Sequence, residues 1–307
     1  MTEPSQSQTR AVGLGLPDYK LRLHINDFRH PGAKAFLSLI PDLECVLESA
    51  LWVIKKSLYT APSSRNDKKG ALRPFPTFYP SFPPTRSVTI LLRHGSDIRH
   101  LAHTKSTELD EYHKEIHFSL SDIHRTSTRL AIDPAFELRG VLTHELAHCY
   151  QHLAHHLAHL HPNDLRPPLG LIEGIADFVR LRAGLAPPHW KRPVSARDRP
   201  EQWDQGYHPT AYFLAWLEDV RIGTGAVGLV NDRLLRQGYC AQDKERDEGG
   251  ESCKKDFWES LFGERIEVLW EEYGVYLDQF GGLIEKKVSA GMMGTGWEGG
   301  LLIMNER

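Results

Sequence analysis

At 307 residues, 40% hydrophobic and 25% charged, the chain is long enough to bury one large core or two ordinary ones. A net charge of −3 gives no electrostatic attraction to nucleic acid or to an anionic membrane surface, so neither is expected as a partner. No apolar run approaches the roughly 20 residues that span a bilayer. The polar start, MTEPSQSQTRAVGLGLPDYK, lacks the apolar core of a secretory signal, which predicts a cytoplasmic protein.

Residues 1–18 read as a disordered leader, 19–288 as a single domain, and 289–307 as a flexible, glycine-rich tail. Within the domain, 19–160 form an α/β part that carries the central motif, and 161–288 are mainly helical. Leu21–Phe28 alternates apolar and polar residues and predicts a half-buried strand. Ala33–Leu58 repeats Phe36, Ile40, Leu43, Leu47, Leu51 and Ile54 at helical spacing, with Pro41 as a start or kink. Residues 60–86, ending PFPTFYPSFPPT, form a long proline-rich connection, read as an insertion in preference to a docking ligand. Ser87–Arg93 (SVTILLR) predicts a buried strand, and Lys114–Ser121 (KEIHFSLS) a second. That second strand stands just before the motif helix. A strand so placed is expected to be a rim on which an extended chain can pair its backbone.

A helix from Pro134 or Phe136 to about His156 comes next. PNDLRPPL breaks it at 162–169, and GLIEGIADFVRLRAG forms another helix, ended by Gly184 and Pro187. Residues 187–208 are loop. Thr210–Val220, Val227–Gln237, Phe257–Leu261 and Ile266–Leu277 predict helices, interrupted by a charged loop, Ala241–Lys255. Strands gather before the motif and helices after it, so the fold class is α+β.

The motif is THELAHCYQ, Thr143–Gln151. Residues four apart share a helix face, so His144 and His148 can reach one ion. Glu145 projects beside that ion. Two neutral imidazoles, an open coordination position and a carboxylate base form the pattern of a zinc hydrolase. A catalytic zinc takes three protein ligands. One class of such enzymes places glycine and a third histidine further along the same helix, but here Gln151 and Ala154 hold those positions. The other common solution draws a Glu from a following helix, and Glu173 fits. Asp177, four residues on, lies on the same face and can accept the N–H of a ligating imidazole. In isolation such a pair reads as a helix cap and a surface acid.

The chain has 17 histidines. His152, His155, His156, His159 and His161 follow the motif, and His152 continues its ladder. They are read as a polar helix face beside the site and not as ligands. The four cysteines, Cys45, Cys149, Cys240 and Cys253, form no C-x-x-C pair. Cys149 reads as a small buried residue. Cys240 and Cys253 flank the charged loop, and whether they are bridged stays open.

Several stretches together resemble the plant basic secretory protein family, a group of zinc-peptidase-like proteins also found in fungi and bacteria. They are Gly140-Val141-Leu142 with His144, Glu145, His148 and Gln151, then GLIEGIADFVRLRAGLAPPHW from Gly170 to Trp190. Trp203-Asp204-Gln205-Gly206-Tyr207 and the later FWESLFGERIEVLWEEY complete the set. The resemblance runs from about Leu21 to Tyr276. It implies a zincin-like, gluzincin-type metallopeptidase fold, with Zn²⁺ on His144, His148 and Glu173 and with Glu145 as general base. It also draws attention to Tyr207. A phenol near the metal stabilises the oxyanion formed in amide hydrolysis, although packing at a helix start explains an aromatic there as well. His208 is a weaker candidate.

The expected function is zinc-dependent hydrolysis of peptide or protein substrates, in the manner of an endopeptidase. The alternative is a non-catalytic zinc protein of the same fold that recognises peptide or glycan, and the intact Glu145 argues against it. The family is mostly secreted, which sets a secreted protein against the cytoplasmic expectation. Substrate specificity and oligomeric state stay open.

Overall fold

Four strands form one sheet in the order β1–β2–β4–β3. They are β1 (Lys20–Ile25), β2 (Ser87–Arg93), β3 (Ala102–Ser106) and β4 (His113–Ser119) in a computed structural model. It describes residues 17–62, 76–94, 101–107, 110–129, 133–153, 165–240 and 256–289. Residues 1–16 of the expected leader, 63–75 of the proline-rich connection, the charged loop Ala241–Lys255 and 290–307 of the expected tail lie outside the described residues. β1, β2 and β4 run parallel, and β3 closes the edge antiparallel to β4. Val88, Ile90 and Leu92 alternate onto one face, where Ile90 pairs Ile116 and Leu92 pairs Phe118. All five are fully buried, so this face founds the core, and a slip of one residue would turn it to solvent. The register also sets Thr104 beside Ile116, on the same face.

Helices cover that face. The stretch Ala33–Leu58 forms two helices, α1 (Pro31–Leu39) and α2 (Leu43–Leu58). Pro41 supplies no N–H, and Asp42 restarts the helix by accepting a 2.8 Å hydrogen bond from the Cys45 amide. Together α1 and α2 make the crossover that parallel β1 and β2 need. β4 stops at Ser119, two residues earlier than the sequence predicts, because the Ser119 hydroxyl caps a short helix, α3 (Leu120–Ser127). Neither α3 nor β3 was expected. AHTKS has no apolar alternation, and α3 is too short to show a period.

α4 (Pro134–Tyr150) starts on the Asp133 cap with Pro134 in its first turn. It is buried on nearly every side, between the sheet and α5 (Leu169–Arg182). It ends at Tyr150 and not near His156. Gln151 is extended, and the His152 amide donates at 2.9 Å to the Asn231 side chain, which draws the chain off the helix axis. α6 (Tyr207–Trp216) runs on into a π-helical turn, Leu217–Arg221, and is followed by α7 (Ala226–Gln237), which carries Asn231. α8 (Phe257–Phe262) and α9 (Ile266–Ser289) complete the described chain. α9 continues well past Leu277. Phe213, Trp216, Trp258, Trp270 and Tyr273 pack ring on ring where α6, α8 and α9 meet. Each such side chain is worth roughly 1.5–3 kcal/mol of burial.

Two glycines set how α6 sits on α5. Gly170 lies so near the Asp204 carbonyl that a β-carbon has no room. Gly206, at φ 91, turns the chain into α6 in the left-handed region. The Thr210 hydroxyl accepts from the Gly206 amide at 3.0 Å and donates to the Trp203 carbonyl at 2.9 Å. The start of α6 is thereby latched over the start of α5. The outcome is an α+β fold with a small mixed sheet and a mostly helical remainder. Among the described residues no helix is long and apolar enough to cross a membrane. Cys45 and Cys149 are free thiols, Cys240 is disulfide-bonded, and Cys253 lies outside the described residues.

Candidate functional site

His144 and His148 project from one face of α4, one turn apart, toward Glu173 on α5. The Nε2 atoms of the two rings are 3.1 Å apart. Glu173 Oε2 stands 3.2 Å from His144 Nε2 and 3.5 Å from His148 Nε2. Three donor atoms therefore converge on one point, and this set fits a metal ion. His144 is buried, while His148 and Glu173 are half-buried and face the cleft.

Each ring is held from behind. His144 Nδ1 lies 2.6 Å from Asp177 Oδ1, so the ring donates there and presents Nε2 to the centre. His148 Nδ1 lies 3.1 Å from the side-chain amide of Gln151. The atom placed there is the amide nitrogen of Gln151; turning the amide over brings its oxygen to the ring, where it accepts the Nδ1 proton and leaves the imidazole Nε2 as a ligand. Gln151 Oε1 is otherwise buried without a partner. The sequence shows Gln151 only as a residue that excludes another ligand pattern. Its spacing of three from His148 was the available signal for this second role.

The charges reinforce the arrangement. Burial opposes a charged His144, but hydrogen bonds to Asp177 and Glu173 outweigh it and push the ring up to about 10. Burial likewise opposes a charged Glu173, yet hydrogen bonds from His144 and His148 hold its carboxyl far below the usual carboxylate range. Two carboxylates so placed around one imidazole make a locus that favours positive charge, from a proton or from a metal. Glu145 is buried beside the donors, and its carboxylate Oε2 receives a 2.7 Å hydrogen bond from the Thr104 hydroxyl of β3. Nothing in the sequence around Thr104 announces that contact.

These groups floor a cleft of about 830 Å³. β3 lines it too, as do Val141, Trp190, Tyr207 and His208. Tyr207 is not a packed aromatic: it is 54% exposed and sits at φ 52, a left-handed backbone conformation that few side chains other than glycine adopt. Partial burial, then the charges of Glu173, Asp177 and Glu145, raise its pKa, so it stays a phenol at neutral pH. His208 stacks on Trp190 with centroids 5.5 Å apart, and burial lowers its pKa.

Two expectations need correction. The strand at Lys114–Ser119 is not a rim strand: β4 is hydrogen-bonded on both sides, by β2 and β3, and among the described residues β3 is the edge strand on that side. His152 does not extend the histidine ladder. It lies beyond the helix end, buried, with Nε2 at 2.9 Å from the Ser81 carbonyl and its ring against Tyr59. His155, His156, His159 and His161 lie outside the described residues.

No curated protein and no solved structure matches the chain significantly. Residues 18–273, however, match the family described as BSP, peptidase of plants and bacteria. That span contains every residue of the site, and the chain belongs to this family of peptidases.

Proposed function

We propose that the chain is a zinc-dependent peptidase, with His144, His148 and Glu173 as metal ligands and Glu145 as general base. The observation that carries the reading is the triangle of donor atoms, with edges of 3.1, 3.2 and 3.5 Å. Ligands bonded to zinc at about 2.0–2.1 Å in a tetrahedron stand about 3.3 Å from one another, so the three residues are spaced for that ion. Two imidazoles and one carboxylate suit zinc in chemistry as well, and three protein ligands leave one position open.

Zinc held there supplies Lewis acidity and brings the pKa of water toward neutrality. The chain's own residues do the rest. Asp177 fixes the His144 tautomer, and Gln151 does the same for His148. Glu145 takes a proton from the attacking water at its free oxygen and passes it to the leaving amine nitrogen. The Tyr207 phenol, protonated and exposed over the acidic cluster, donates to the carbonyl oxygen as negative charge builds on it. Among the described residues β3 is an edge strand along the cleft, which supports an extended peptide as substrate, because an edge strand can take up a further strand. We read the activity as that of an endopeptidase acting on such a strand. The disulfide at Cys240 supports an oxidising compartment, and so the secreted alternative over the cytoplasmic one.

Digestion of a mixed peptide library by the purified protein tests the reading. We expect cleavage that 1,10-phenanthroline abolishes and that equimolar zinc restores. Cleavage indifferent to the chelator, or none from the zinc-loaded protein, would overturn it.

A further inference from the structure

We propose that Thr104 is a positioning residue for the general base: its hydroxyl holds the Glu145 carboxylate so that one oxygen is engaged and the other is free for the reacting water. The inference rests on the peptidase reading above and extends it to a residue on the edge strand.

Glu145 needs such a partner. It is 5% exposed, and a buried carboxylate without hydrogen bonds is costly. Its side chain has three rotatable bonds and extends from a helix that fixes only the backbone. Thr104 Oγ1 lies 2.7 Å from Glu145 Oε2 and 2.9 Å from the Glu145 carbonyl oxygen. One hydroxyl proton serves one strong bond. The carbonyl sits inside α4, where the amide four residues on already supplies a donor, and the Cys149 thiol also points at it. The carboxylate is the charged acceptor and makes the stronger bond. The proton is therefore directed at Oε2, which leaves Oε1 as the basic atom.

The residue type and its place fit this role. Threonine is β-branched and stiff at χ1, so its hydroxyl is a fixed point. The pairing of Thr104 with Ile116 turns that hydroxyl to the core face and onto α4. Without this bond the strand and the helix would still pack, but the carboxylate would be free to turn.

The test compares wild type, Thr104→Val and Thr104→Ser. Zinc-loaded protein is assayed on one peptide, and the metal-free proteins are crystallised and melted. Valine keeps the shape and removes the donor; serine keeps the donor. For T104V we expect kcat to fall about 10- to 100-fold, as for a displaced catalytic group. KM should stay within about twofold, as befits loss of a transition-state interaction. The melting point should hold within a few degrees, and Glu145 should occupy more than one rotamer. T104S should keep one Glu145 rotamer and most of kcat. A T104V protein with unchanged kcat and a single Glu145 rotamer overturns the proposal. So does a loss of kcat that T104S shares in full, which would mark Thr104 as a tie between strand and helix only. If zinc-loaded wild type cleaves nothing, the peptidase reading falls, and the Glu145 rotamers in T104V alone decide the role of Thr104.

Discussion

His144 is the most constrained residue of the site. Asp177 holds it behind and Glu173 in front, and burial removes the water that would otherwise satisfy it. This much was legible in the sequence, because helical spacing dictates that residues 144 and 148 share a face, and 173 and 177 likewise. Thr104 and the role of Gln151 were not. Thr104 and Glu145 stand 41 positions apart in the chain and meet through the pairing of β3 with β4, and no local pattern encodes that. Tyr207 stood between two readings until its exposure and its positive φ removed the packing explanation. Tyr207→Phe keeps the ring and deletes the donor. We expect kcat to fall about 100-fold, the usual cost of losing one oxyanion donor, with KM little changed. Steady-state kinetics on a single peptide checks this, and unaltered kcat would assign the phenol no part in the chemistry.

At the scale of elements, the site depends on how α4, α5 and α6 are set against one another. The helices announced themselves through apolar periodicity, and their contents were largely read correctly. Their ends were harder. α4 stops at Tyr150 because a side chain on α7, Asn231, captures the His152 amide, and a window of local sequence does not contain that residue. The edge strand β3 escaped notice for a related reason: AHTKS earns its place by pairing with β4, not by burying its own side chains. The Gly170–Asp204 contact is the latch that sets Tyr207 over α5. Gly170→Ala forces a methyl into the Asp204 carbonyl. It should cost roughly 1–3 kcal/mol, as overpacking does, and lower kcat by moving Tyr207. Thermal unfolding and kinetics on the same preparation read both effects, and a melting point equal to wild type would show that the latch has slack.

At the scale of the whole molecule, Glu218 is a buried acid that the chemistry does not use. Glu218, in the π-helical turn after α6, accepts a 3.1 Å hydrogen bond from the Val227 amide at the start of α7. Burial pushes its carboxyl up to about 7, against the pull of Arg182 and the amides and with some help from Asp219. The folded state thus holds this proton more tightly than the unfolded chain does. Its stabilising contribution is full below pH 4.5 and is lost as pH rises through about 7. The loss is on the order of 3 kcal/mol at most. Glu218→Gln removes the titration, so its stability relative to wild type should rise between pH 5 and pH 8. Denaturant unfolding across that range measures it, and parallel curves for the two proteins would mean that Glu218 keeps an ordinary pKa.

The most direct test of the peptidase account is the rate of peptide hydrolysis by zinc-loaded Glu145→Gln, measured beside its metal content. The account predicts that zinc stays bound at one ion per chain, held by His144, His148 and Glu173. It also predicts that the rate falls by roughly 10²–10⁴-fold, the usual contribution of a positioned general base. A variant that holds zinc and cleaves at the wild-type rate would contradict it.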